Sequence, residues 1–248
     1  MGFAGELCPL ISRRRHHDLR RRTTGRTLVL WLGLVMLATA PAFGQSARPS
    51  QGYYPIDQNL PPGTAANWSA ILGRGVPPYF QPIRIELPST GTVTVYSGGS
   101  HASSAQPVPA QAGFLVGRSY RIKISDMPEF PGVELYPTIE VLDRLHPPAG
   151  KKQQFPIVLQ ITRQEIEFAI TDRLVSKVVY LERPQTALPR PLDRSARVEE
   201  MKADENLLAE ADRMGRPMLL VRLGGRTPTT QEAAFFGRGF PVEVLKKR

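Results

Sequence analysis

The chain has 248 residues, 41% hydrophobic and 22% charged, with 24 prolines, one cysteine and a formal net charge of +10. That length supports one sizeable core, and a lone cysteine excludes a disulfide framework and any multi-cysteine metal site. The basicity is uneven: residues 1–44 hold seven of the 32 Lys and Arg and two of the 22 Asp and Glu, so the rest of the chain carries +5, from 25 basic and 20 acidic side chains.

Arg13, Arg14, Arg15, Arg20, Arg21, Arg22 and Arg26 precede the apolar run TLVLWLGLVMLATA, residues 27–40, and Ala42 and Gly44 are the small residues that a signal peptidase needs. A basic flank, a short apolar core and a small-x-small site predict a signal peptide over 1–44, cleaved near Gly44-Gln45. The run is shorter than the roughly 20 residues that cross a bilayer, so no stable membrane span is expected after cleavage. Cys8 leaves with the leader, and stability of the exported chain then rests on burial. Residues 45–63, rich in Pro, Gly, Gln and Ser, read as a flexible linker. The domain is expected over 64–226, and 227–248 forms a C-terminal tail in which FPVEVL offers one more strand.

Thr64 is placed to cap a short helix in TAANWSAIL, with Trp68, Ile71 and Leu72 on its apolar stripe and Gly73 closing it. Period-two alternation then marks strands. Ile83, Ile85 and Leu87 share one face in YFQPIRIEL, with Arg84 and Glu86 on the other. Val93 and Val95 alternate in TVTVY, and the Pro, Ser and Ala run over 97–111 reads as a loop. In RSYRIKI, Tyr120, Ile122 and Ile124 point inward and Arg121 and Lys123 outward. In PGVELYPTIEV, Val133, Leu135, Pro137, Ile139 and Val141 oppose Glu134, Tyr136, Thr138 and Glu140. A short loop joins these two as an antiparallel hairpin, Pro137 suggests an edge or bulged strand, and the phase slips at Val141-Leu142 as a bulge would make it.

Beyond them, FPIVLQI turns Phe155, Ile157, Leu159 and Ile161 inward. Thr162 and Glu165 form a capping box for a helix with Ile166, Ala169 and Ile170 on its stripe. VSKVVYLE, apolar on both faces, reads as a central strand. DENLLAEADRM predicts a helix burying Leu207, Leu208, Ala211 and Met214 and ending at Gly215, followed by an Arg216-Pro217 turn and the strand MLLVRL. Short strands with two or three short helices predict a mainly β fold, a single β-sandwich-like domain whose inner layers include Ile122, Ile139 and Leu159.

Chemical signals are sparse. Asp143, Arg144 and His146 end a strand before two prolines, and with Glu140 they are the one candidate set for acid-base chemistry. A catalytic site would also need a nucleophile and oxyanion donors, so a polar strand rim is the simpler reading. Gly98, Gly99, Ser100 and His101 imitate a nucleophile elbow, but Ala102 occupies the place of its last glycine. A zinc site would have to join His101 to His146, and no phosphate loop, dinucleotide fingerprint or calcium loop is present, so neither metal nor cofactor is expected. Basic residues are not interleaved with aromatics in the manner of a nucleic-acid platform. The outward-facing Tyr96, Arg121, Lys123 and Tyr136 are the candidate binding residues.

The segments GFLVGRSYRIKISDMPEFPGVELYPTIEVLDRLHPP, DRLVSKVVYLERP and MGRPMLLVRLGGR resemble an uncharacterised secreted protein family of planctomycete bacteria, over residues 68–226. The resemblance implies export and a shared β-rich domain, and brings no activity and no catalytic residues. Together these readings point to an exported, non-enzymatic cell-envelope protein, secreted or periplasmic, that serves as a binding or structural module. Its expected partner is an envelope protein or polysaccharide; the alternative is a hydrolase acting on an envelope polymer through Asp143, His146 and Glu140.

Overall fold

In the computed structural model, which describes residues 53, 56–74, 78–97, 103–185, 198–229, 232–236 and 239–244, the alternating segments pair into two sheets. Residues 1–44, most of the 45–63 segment and residues 98–102, with the Gly98–His101 motif, lie outside these residues. The strands are β1 (Phe80–Glu86), β2 (Thr92–Tyr96), β3 (Ser103–Pro107), β4 (Ala110–Leu115), β5 (Ser119–Ser125), β6 (Thr138–Val141), β7 (Ile157–Gln160), β8 (Val175–Glu182), β9 (Gly215–Leu223) and β10 (Val242–Val244). The helices are α1 (Thr64–Ile71), α2 (Arg163–Ile170) and α3 (Leu207–Met214), with short 3-10 turns at Lys152–Gln154 and Ala233–Phe236. A four-stranded sheet runs β10-β4-β1-β7 and a six-stranded sheet β3-β2-β5-β6-β9-β8. Among the described residues every strand pairing is antiparallel except β1 with β7.

One apolar cluster joins the sheets. Ile83, Ile85, Phe114 and Leu159 of the smaller meet Val93, Ile122, Ile124, Ile139 and Val221 of the larger. Ile122, Ile139 and Leu159 are each 0% exposed, so the mainly β sandwich read from period-two alternation holds. The capping box is also present, with Thr162 and Glu165 satisfying each other's backbone N–H groups.

Several local readings are corrected. The 97–111 stretch is no loop: it contains β3 and the start of β4. β3 is a Ser- and Gln-bearing edge strand with no apolar period, and β4 buries the small Ala110 and Ala112 ahead of Phe114, so neither carried a hydrophobic signal. VSKVVYLE is not central; β8 lies at the sheet edge. It is apolar on both sides because Val175 and Val179 face the main core while Val178 faces a second apolar cluster. β6, by contrast, sits between β5 and β9, and Pro137 marks a break in its pairing rather than an edge. Leu142 and Asp143 both donate backbone N–H groups to Met218 O, which is how the phase slips there. No turn intervenes at Arg216-Pro217. α3 passes directly into β9 at Gly215, where a Cβ would lie 2.2 Å from Leu181 O. Phe155 and Ile170 are exposed although both are in phase with buried neighbours: Phe155 precedes β7, and Ile170 is the last residue of α2.

The outer face of the larger sheet carries the second cluster, where Tyr53, Ala65, Ala66 and Leu208 cover Leu142 and Leu220. The end of the 45–63 segment is therefore anchored: Tyr53 is 0% exposed and Gln58 exchanges hydrogen bonds with Glu205 and Leu207. α1 docks through Ala65, Ala66 and Ser69 rather than Ile71 and Leu72, which are exposed. Small residues win because the helix lies so close to the sheet that the Ser69 hydroxyl bonds Leu142 O. Gly117, at φ +79°, has no room for a Cβ, which would sit 2.9 Å from that of Ala70.

Candidate functional site

β5, β6 and β9 place Arg121, Thr138 and Arg222 on one register row, because Arg121 pairs with Thr138 and Thr138 with Arg222. Alternation turns all three side chains away from the main core. Two segments then cover the face on either side of this row. The N-terminal segment with α1 lies over the Glu140 side. The 3-10 turn Ala233–Phe236 lies over the Tyr96 and Tyr136 side. Between them a cleft of about 380 Å³ remains, floored by Arg121, Thr138 and Arg222 and walled by Pro61, Pro62, Arg226 and Phe235.

Arg222 donates from each of its three nitrogens. Its Nε donates to Gln58 O (2.8 Å), its Nη2 to Leu60 O (3.0 Å), and its Nη1 is paired with Glu140 Oε1. Glu140, 0% exposed, also accepts from the Ala66 backbone N–H at 3.0 Å. That N–H belongs to the first turn of α1, whose N-cap position is Gly63 and offers no side chain. A carboxylate from another element thus does the capping that the helix cannot do for itself. Thr64, expected as the cap, instead donates its hydroxyl to Pro61 O.

Arg121 is incompletely used. Among the described residues its side chain donates one hydrogen bond, to Thr138 Oγ1 at 3.2 Å, and its guanidinium carbon lies 3.7 Å from the centre of the Phe235 ring. Burial, and then the like charge of Arg226, pull its pKa below the ordinary arginine value, with Glu232 opposing them. Glu232 pairs with Arg226 through Oε1 at 2.9 Å, and its buried Oε2 has no hydrogen-bond partner among the described residues. Arg226 flanks the same ring at 5.0 Å.

The four residues expected to bind do share this face. Tyr96 packs on Phe236 with ring centres 4.5 Å apart, and Tyr136 meets Phe235 at 5.6 Å. Lys123 pairs with Glu134 at 3.0 Å, and Tyr136 donates its hydroxyl to the same carboxylate at 2.6 Å. Those two bonds, Tyr136 first, hold Glu134 below its usual value, while burial and that acceptor raise Tyr136. Tyr96, Lys123 and Tyr136 are therefore engaged, which leaves Arg121 as the open member. Phe235 and Arg226 were missed in the sequence, having no period to mark them.

The structure does not assemble the acid-base candidates. Glu140 is the α1 cap. Asp143, 5% exposed, accepts from the Arg144 backbone N–H at 2.7 Å and lies 3.4 Å from Arg216 Nε. His146 is exposed and lines a separate cleft of about 280 Å³ with Tyr79, Arg144 and Lys152. There the two cations flank the Tyr79 ring at 5.1 Å each. Among the described residues no cluster of His, Cys, Asp and Glu forms a metal site, and His101 lies outside them. No described helix is long and apolar enough to cross a membrane. No family model, curated protein or solved structure matches this chain.

Proposed function

We propose that this chain is an exported, non-enzymatic cell-envelope protein that binds a partner through the cleft between the N-terminal segment and the Ala233–Phe236 turn. Export is inferred from the leader in 1–44 and from the family resemblance. The observation that carries the binding role is Arg121, a half-buried cation at an open cleft with no described carboxylate of its own. A half-desolvated guanidinium with unused donors is costly to hold, and an anionic group on a ligand would complete it. What supports this over a hydrolase is that Glu140 and Asp143 are each engaged by an arginine while His146 stands in a different cleft.

The test is retention of envelope fractions on the immobilised exported protein, compared with its Arg121→Gln variant. Specific retention that the substitution abolishes supports the reading. Equal retention by both proteins moves the site elsewhere, and retention by neither removes the binding role.

A further inference from the structure

Resting on that binding role, we propose that the cleft receives a carboxylated sugar unit of an acidic polysaccharide, with its carboxylate on Arg121. Charge bookkeeping comes first. Among the described residues Arg222 is paired with Glu140, Arg226 with Glu232 and Lys123 with Glu134, which leaves Arg121 as the cation at the cleft with no ion pair. One such cation matches a monoanion.

The shape of the donor comes second. The guanidinium lies against the Phe235 ring, and one of its nitrogens is fixed by Thr138. Its remaining N–H groups point along its own plane, where a flat carboxylate can accept two parallel bonds. A lysine ammonium would offer a point charge without that fork.

Walls and floor then decide what carries the carboxylate. Pro61 and Pro62 give flat apolar surfaces against which the C–H face of a sugar ring packs, and the exposed amide of Asn59 stands beside them for ring hydroxyls. The floor is the middle of a sheet, where β6 is paired on both sides by β5 and β9. Its backbone groups are used in those ladders, so an extended peptide finds no free strand edge to pair with. The volume, about 380 Å³, lies near the lower end of the roughly 300–1,000 Å³ typical of small-ligand sites, a size for one or two rings.

The probes are oligogalacturonate and its methyl ester, the same sugar chain with its carboxylates free or capped by a neutral methyl ester, titrated calorimetrically into the exported protein at low ionic strength. The acid form is expected to bind at least about ten-fold more tightly than the ester, the scale of one charge-assisted pair. Arg121→Gln should erase that preference and Arg121→Lys should keep part of it, with thermal melts reporting that each variant is folded. Arg226→Gln, at an exposed position, should weaken the acid form only a few-fold and covers the case in which an Arg121 variant fails to fold. Equal binding of acid and ester, or acid binding untouched by Arg121→Gln, overturns the carboxylate assignment while leaving the binding role standing. Failure of both probes, with Arg121-dependent retention of some envelope fraction intact, sinks the sugar-acid proposal alone. Failure of the probes together with loss of all retention takes down both.

Discussion

Arg121 and Arg222 flank Thr138 on one register row of one sheet face, yet they do opposite work. Arg222, 8% exposed, has a carboxylate and two carbonyls around it and pins the N-terminal segment to the sheet. Arg121, one strand to the other side, has a hydroxyl and an aromatic ring. The difference lies in what the covering segments bring. The 58–60 loop arrives with carbonyls aimed at Arg222, and α1 arrives with an uncapped N–H that its partner Glu140 can take. The Ala233–Phe236 turn arrives with rings, which cover a cation without neutralising it. A carboxylate partner and an acceptor at every nitrogen make the buried charge of Arg222 structural; the single hydroxyl on Arg121 keeps its charge available.

Removing Glu140 should break the comparison most visibly. Glu140→Ala leaves Arg222 buried without its carboxylate and the Ala66 N–H without an acceptor, at a cost of about 3–5 kcal/mol in urea unfolding. Replacing the pair together, Glu140→Leu with Arg222→Met, should cost clearly less than the sum of the single changes, because no lone charge stays buried. Additive losses would mean that the pair is not one unit. Next in size is Gly117→Ala, which forces a Cβ against Ala70 at a positive φ and should lower stability by about 1–3 kcal/mol.

Glu134 provides a smaller, pH-dependent effect. Its folded pKa is depressed, so its contribution is present above the unfolded value and lost as pH falls through the folded one. At 44% exposure, solvent screening limits that contribution to about 0.2–1 kcal/mol. The gap in urea midpoint between the parent and Glu134→Gln should therefore close as pH drops from 7 to below about 4. A gap that widens on acidification would contradict the assignment. Smallest of all is the effect of Arg121→Gln on stability, expected within about 1 kcal/mol of zero, since the lost ring contact is offset by relief from Arg226 and from burial of charge. A loss comparable to that of Glu140→Ala would make Arg121 structural as well and erase the contrast with Arg222.

Much of the sandwich was legible where one side of a strand meets oil and the other water. β1, β2 and β5 announce themselves by that alternation, and the Thr162-Glu165 spacing announces α2. β3 and β4 were invisible because Ser, Gln and Ala carry no such contrast. β8 misled because two apolar clusters on opposite faces imitate the environment of a central strand. The Ile71 and Leu72 stripe misled because helix propensity says nothing of how near the sheet lies, and closeness selected Ala65, Ala66 and Ser69 instead. At the candidate site, facing alone put Arg121, Lys123, Tyr136 and Tyr96 together, whereas Phe235 and Arg226 come from distant sequence and had no local mark.

What this sequence determined by itself is which side chains turn outward from paired strands, since alternation is a local property of an extended chain. Which of those outward groups would be covered, and by carbonyls or by rings, was decided only when the two ends of the domain folded back across the sheet. Whether a charge is satisfied depends on atoms from several elements converging within hydrogen-bonding distance, and that convergence has no period to read.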